Sequence, residues 1–195
     1  MKIIGITGSS GSGKTTLSKM LNEREDVIVI DADKVVKQMS VPGTKYLNSI
    51  KEAFGDDILL ENGYLNRKLL ANKIYNDNES REKLNSLTFK YVVEEILQRI
   101  ENVKDEKIKT IVIDAPLLFE SGLEKCCDFV VALIADKELK IKRICQRDNI
   151  DEKTAESRLN IQQEDSYYTQ RADYVITNKE NYDLKGEIDK IFGKE

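Results

Sequence analysis

Gly8-Ser9-Ser10-Gly11-Ser12-Gly13-Lys14-Thr15 follows a short run rich in β-branched residues, Lys2-Ile3-Ile4-Gly5-Ile6-Thr7, and precedes Leu17, Met20 and Leu21 at helical spacing. A Gly-x-x-x-x-Gly-Lys-Thr stretch between a strand and a helix has the form of a phosphate-binding loop. Glycines at 8, 11 and 13 permit backbone conformations that a Cβ would block, so successive N–H groups can line one concavity around a phosphate chain. The helix that opens at the end of the loop adds unpaired donors and a partial positive charge. Lys14 then offers an ammonium to the outer phosphates, and the Thr15 hydroxyl can ligate a magnesium ion. Gly8, Gly11, Ser12, Gly13, Lys14, Thr15 and Thr16 are therefore the candidate nucleotide-binding residues.

Further apolar strands are readable downstream. Val27-Ile28-Val29-Ile30 is continuous, as in a buried parallel strand, and ends in Asp31-Ala32-Asp33. Ligands of open α/β sheets gather outside the carboxyl ends of strands, which makes both carboxylates site candidates. Either could instead cap the helix that begins near Lys34. Thr110-Ile111-Val112-Ile113-Asp114 has the form of a Walker B strand, whose aspartate holds magnesium directly or through water. Phe129-Val130-Val131-Ala132-Leu133-Ile134 and Asp173-Tyr174-Val175-Ile176-Thr177 are the fourth and fifth strands, and 115–120 reads as an apolar loop.

Residues 34–103 carry helical patterns and no convincing strand, with turns at Pro42-Gly43 and Asn62-Gly63. The spacing predicts helices over 45–54, 67–75 and 88–100, and a final one over 182–192. Residues 137–163 read as two helices joined around 148–151. Arg143 and Arg147 are four apart and share a face. On an ordinary helix that is a solvated basic face; in a phosphoryl-transfer enzyme the guanidinium groups can fork onto the transferring phosphoryl.

Composition narrows the class. The chain has 195 residues, enough for one sizeable core with a small insertion, and a net charge of −4 that supplies no global field for a nucleic acid backbone. No apolar run reaches membrane-spanning length and no signal-type segment opens the sequence, so neither a nucleic acid nor a membrane partner is expected. The three cysteines, Cys126, Cys127 and Cys145, have neither metal-ligand spacing nor a paired framework and read as packing residues of a cytoplasmic protein. Histidine is absent, so base catalysis falls to a carboxylate, for which Asp33 is the candidate.

A GTPase would place Asp-x-x-Gly after the third strand, where this chain has Asp114-Ala115-Pro116-Leu117. It would also carry Asn-Lys-x-Asp, and here Asn178-Lys179-Glu180-Asn181 ends in an amide that cannot accept the guanine hydrogens. The loop therefore points to ATP.

Across nearly its whole length the sequence resembles the dephospho-coenzyme A kinase family. The similar segments are the loop to Thr15, Asp31-Ala32-Asp33, Val41-Pro42-Gly43, Phe54-Gly55, Gly63-Tyr64-Leu65-Asn66-Arg67, Asp114-Ala115-Pro116-Leu117-Leu118-Phe119-Glu120, Arg143 to Asp148, and Ala172-Asp173-Tyr174-Val175-Ile176-Thr177-Asn178. The resemblance implies a three-layer α/β P-loop NTPase fold with a five-stranded parallel sheet of order 2-3-1-4-5, a helical substrate-binding insertion and a helical lid. It also implies transfer of the ATP γ-phosphoryl to the ribose 3′-hydroxyl of dephospho-coenzyme A, with Mg2+. Residues 1–195 then form one kinase domain. Its core is 1–33, 104–136 and 171–195, its acceptor-binding insertion 34–103 and its lid 137–170.

The same resemblance implies site roles. Asp33, Lys14, Arg143 and Arg147 are catalytic, Asn178 joins the loop in ATP binding, and Thr15 and Asp114 hold the metal. Asp31, Asp33, Leu65 and Arg67 bind the acceptor. The expected partners are the two small-molecule substrates, with the chain a monomer or a weak homo-oligomer. Two features depart from the family pattern: Thr88-Phe89 stands where His-Pro is frequent, and Asn62 and Asn66 stand where aspartates are more usual.

Overall fold

The computed structural model describes residues 1–75, 77–180 and 182–193. Asn181, which ends the guanine-type stretch, and the last two residues of the expected core segment lie outside the described residues. In chain order the regular elements are β1 (Lys2–Thr7), α1 (Lys14–Asn22), β2 (Val27–Asp31), α2 (Ala32–Met39), α3 (Lys45–Phe54), α4 (Arg67–Ile74) and α5 (Asn78–Glu101). They continue with β3 (Thr110–Asp114), α6 (Leu118–Ser121), β4 (Phe129–Ile134), α7 (Lys137–Asp148), α8 (Glu152–Asn160), α9 (Asp165–Thr169), β5 (Tyr174–Thr177) and α10 (Leu184–Phe192).

The strands form one parallel sheet of order β2-β3-β1-β4-β5, the expected topology. β1 is central, with Ile6 opposite Asp114 of β3 and Thr7 opposite Ala132 of β4. The chain divides into two compact units, Met1–Ile30 with Lys104–Glu195, and Asp31–Val103.

In the first unit the central strands β1, β3 and β4 are buried on both faces, as crossover helices on a parallel sheet require, while the edge strand β5 leaves Tyr174 and Val175 exposed. Ile4, Ile6, Val112, Val131, Leu133 and Ile176 share a core with Leu17 and Leu21 of α1 and Leu184 and Ile188 of α10. Side chains alternate along a strand, so Gly5 points the other way, where a Cβ would meet Leu118 and Cys127. Ile111, Ile113, Val130 and Ala132 are buried as well. Each large aliphatic side chain so enclosed contributes about 1.5–3 kcal/mol relative to exposure.

The second unit has its own core of Tyr46, Ile50, Ile58 and Leu70, flanked by Leu65, Leu84, Leu87 and Tyr91. Tyr46 and Tyr91 meet edge to face at 5.8 Å. At the start of this unit the Asp31 carboxylate accepts from the Lys34 amide at 3.0 Å and caps α2, which begins at Ala32.

Other boundaries differ from the sequence reading. α5 starts at Asn78 instead of 88, capped by Asp77 on the Ser80 amide. From Leu118 the segment expected as a loop over 115–120 is instead the start of the short helix α6. The last helix starts at Leu184, with Asp183 accepting from the Gly186 amide. β5 begins at Tyr174 because the Asp173 side chain instead accepts from the Val130 amide at 2.8 Å. α9 had no periodic signal over its five residues.

Candidate active site

The phosphate loop leaves β1 between the carboxyl ends of β3 and β4. Gly8, Gly11 and Gly13 have φ of +139°, +78° and +109°, and each lies against something a Cβ would strike. At Gly8 the obstacle is the Leu133 carbonyl oxygen, 2.1 Å from the Cβ position; at Gly11 it is the Lys140 backbone; at Gly13 it is the Asn178 amide. The loop is thus packed from behind by β4, α7 and the residue after β5. Ser12 Oγ is buried and has no hydrogen-bond partner in the protein. An orphaned hydroxyl inside a glycine-lined turn fits an anion cradle.

Lys14, the first residue of α1, curls back over the loop and donates to the Gly8 and Ser9 carbonyls at 2.5 and 3.2 Å. Thr15 and Thr16 are exposed in the first turn of α1. Asp114 ends β3 and accepts from Ser18 Oγ at 2.5 Å. Asn178, 7% exposed, donates to the Ser12 carbonyl at 2.8 Å and accepts from Arg143 at 3.3 Å, so its visible role is to brace the loop.

Both candidate lid arginines reach the loop. Arg143 donates to the Gly11 carbonyl at 3.1 Å, and Arg147 to Ser10 Oγ at 3.3 Å while forking onto Asp148 at 2.7 and 2.9 Å. Arg158 also bonds Asp148, at 2.9 Å, tying α8 to the end of α7. The Arg147 hydrogen bond, then its charge and that of Arg158, hold the Asp148 carboxyl below the usual carboxylate range.

Four loop supports were not anticipated from the sequence. Lys140 of α7 is 6% exposed and pairs with Asp165 of α9 at 2.8 Å, and it donates to Ser9 Oγ at 3.3 Å. Gln162 accepts from the Ser10 amide at 2.8 Å, and Ser18 holds Asp114. Lys140 had a signal, since 140, 143 and 147 fall on one helix face at i, i+3 and i+7. Gln162 and Asp165 had none.

In the second unit Asp31 is the cap of α2, and its other oxygen lies 3.3 Å from Lys34 Nζ. Asp33 is exposed in the first turn of the same helix. Leu65 is half-buried, bridges Leu59 and packs on the unit's core, while Arg67 opens α4 with an exposed side chain. Asn66 caps α4 on the Leu69 amide at 3.0 Å, supplying the oxygen an aspartate would. Thr88 lies 3.0 Å from the Tyr46 hydroxyl and donates to the Leu84 carbonyl, so this position is absorbed into the core's polar contacts.

Comparison with known proteins adds an independent line. The family profile described as "Dephospho-CoA kinase" matches residues 2–183. The dephospho-CoA kinase of Listeria monocytogenes is 37% identical over 180 residues, covering 92% of this chain and 90% of that one. That of Moorella thermoacetica is 39% identical over 177 residues, covering 90% and 83%. Among solved structures, dephospho-CoA kinase from Campylobacter jejuni superposes with a TM-score of 0.70 at 28% identity, covering 97% of this chain and 94% of that one.

Proposed function

The chain belongs to the dephospho-CoA kinase family, and on that premise we propose that it transfers the γ-phosphoryl of ATP to the ribose 3′-hydroxyl of dephospho-CoA, giving CoA. The observation that carries the reading is the cradle at the end of β1. Its three left-handed glycines, its orphaned Ser12 hydroxyl and Lys14 are gathered where an anionic phosphate chain is the natural ligand. Phosphoryl transfer needs little covalent help from the protein; positioning and charge stabilisation supply most of the rate.

In this reading Gly8, Gly11, Ser12, Gly13, Thr15 and Thr16 bind the ATP phosphates, and Asn178 acts on them through Ser12. Lys14 exchanges its two loop carbonyls for phosphate oxygens, and Arg143 and Arg147 neutralise charge that spreads over the transferring group. A divalent cation fits the oxygen donors of Thr15 and Asp114. Among the described residues no group of three or more His, Cys, Asp or Glu side chains gathers to hold an ion alone, which suits an ion carried in with the nucleotide. Magnesium would there screen the negative phosphate oxygens.

Asp33 is the proposed base, taking the proton of the acceptor hydroxyl; with no histidine in the chain, a carboxylate is the base type at hand. Asp31 sets the start of the helix that carries Asp33, and Leu65 and Arg67 are proposed to meet the acceptor. Residues 137–170 are proposed to act as a lid that keeps water from the reacting phosphoryl. The three thiols are free, in keeping with the reducing cytoplasm, and no helix among the described residues is long and apolar enough to cross a membrane. Action on two small molecules as a monomer or weak homo-oligomer, without nucleic acid or membrane, completes the reading.

The test is a coupled assay with ATP and magnesium, offering dephospho-CoA, nucleosides and nucleoside monophosphates in parallel. Preference for dephospho-CoA is expected, and preference for another acceptor overturns the assignment. Asp33→Asn should lower kcat by at least about a hundredfold with ATP binding intact. Near wild-type turnover in that variant would remove Asp33 as the base.

A further inference from the structure

We propose that the pair formed by buried Lys140 and partly exposed Asp165 is a positioning device for the phosphate loop, acting through Ser9 on Lys14. The inference rests on the kinase reading above and deepens it.

Lys140 Nζ contacts Asp165 Oδ1 at 2.8 Å and Ser9 Oγ at 3.3 Å, and Ser9 Oγ is itself 3.4 Å from Asp165 Oδ1. Ser9 is 2% exposed. The other polar end of the same residue, its carbonyl oxygen, accepts from Lys14 Nζ at 3.2 Å. One serine therefore links a charge pair between α7 and α9 to the lysine that meets the phosphates.

The energetics favour positioning over simple stabilisation. An ammonium removed from water is costly unless paired, and a well-packed apolar pair is often as stable as the buried ion pair it replaces. What the pair adds is direction. Lys140 can satisfy its donors only with Ser9 Oγ and Asp165 held where they are, which fixes Ser9 relative to two helices at once. The neighbouring loop residues are held from the same region: the Ser10 amide by Gln162, the Ser10 hydroxyl by Arg147 and the Gly11 carbonyl by Arg143. Those contacts end on residues 10 and 11. The contact on Ser9 continues through the Ser9 carbonyl to Lys14.

Two variants separate positioning from stability. Ser9→Ala keeps the ion pair and removes the link; Lys140→Met with Asp165→Leu removes both charges together and leaves an apolar pair. Melting temperature, ATP affinity by calorimetry with magnesium, kcat, and KM for both substrates are measured for each. Both variants should melt within a few degrees of wild type, while kcat falls about tenfold and ATP affinity about fivefold, with KM for dephospho-CoA unchanged. Lys140→Met alone, which leaves the partly exposed Asp165 carboxylate without its partner, should melt slightly lower than the double variant. Wild-type kcat and ATP affinity in Ser9→Ala or in the double variant overturns the inference, because the pair is then only a packing element. If the wild type does not phosphorylate dephospho-CoA, the acceptor assignment fails separately. ATP affinity then decides alone: a loss in Ser9→Ala supports the link, and no change refutes it.

Discussion

A methyl group placed on Gly8 would sit 2.1 Å from the Leu133 carbonyl oxygen, and one placed on Gly13 would sit 2.0 Å from the Asn178 side-chain nitrogen. The distances are alike and the consequences differ. Leu133 is inside β4, so its carbonyl cannot move without opening the sheet, whereas an asparagine amide can rotate away. Gly8→Ala should therefore cost about 3 kcal/mol or more in urea unfolding, from strain and overlap together, and abolish ATP binding. Gly13→Ala should cost less, and its main effect should be on nucleotide affinity through the lost Asn178 to Ser12 bond. Equal unfolding costs would show that the neighbour's mobility is not what matters. At the same scale, the adjacent thiols of Cys126 and Cys127 both lie within hydrogen-bond reach of the Leu123 carbonyl. The hydrogen bond from Cys127 holds the Cys126 thiol down to about 7, and the same neighbour together with burial pushes Cys127 up. Iodoacetamide should label Cys126 in preference to Cys127, at a rate that rises as pH passes through about 7 and then levels. Peptide mapping checks this, and preferential labelling of Cys127 would reverse the assignment.

At the scale of elements, α7 and α8 are joined through Asp148, which accepts from Arg147 and Arg158. Its carboxyl titrates below the usual range, so its contribution to folding is complete above the unfolded value near 4 and disappears as pH falls through the lower folded value. The tie therefore holds at neutral pH and opens in acid. Asp148→Asn should speed amide exchange in 152–160 at pH 7, where the wild type stays protected; unchanged exchange would mean that packing alone holds α8. Arg143 belongs to the same helix and touches the loop carbonyl of Gly11. Its removal should lower kcat at least tenfold more than it weakens ATP binding, since its largest effect is expected on charge developing during transfer. The reverse pattern would make it a ground-state binder. Elements of this kind were legible because their signals are local: β-branched runs, glycines at 8, 11 and 13, and arginines four apart. The support behind the loop was not, because Ser9 meets Lys140 across 131 positions and Asp165 across 156. Nor was the start of α5, where a polar run after the Asp77 cap hides the apolar spacing that begins further along.

At the scale of the whole molecule, every residue of the phosphate cradle falls in the unit formed by Met1–Ile30 and Lys104–Glu195, while Asp31, Asp33, Leu65 and Arg67 fall in Asp31–Val103. The second unit is one uninterrupted segment with a core of its own around Tyr46 and Ile50. If the proposed roles are right, the two substrates should leave separate footprints. A non-hydrolysable ATP analogue with magnesium should slow amide exchange at 8–16 and 140–147 and leave 45–101 nearly unchanged. Dephospho-CoA alone should slow exchange within 31–75 and 77–103 and spare the loop. Nucleotide at a hundred times its dissociation constant stabilises the state it binds by about 2.7 kcal/mol, which for a chain of this size raises Tm by roughly 5–10 °C. Chelating the magnesium should remove most of that rise if Thr15 and Asp114 share the ion with the phosphates. A rise that survives chelation would argue that Lys14 and the loop amides hold the nucleotide unaided. Protection of 45–101 by the nucleotide, with the loop unprotected, would place ATP in the wrong unit and overturn the division of roles.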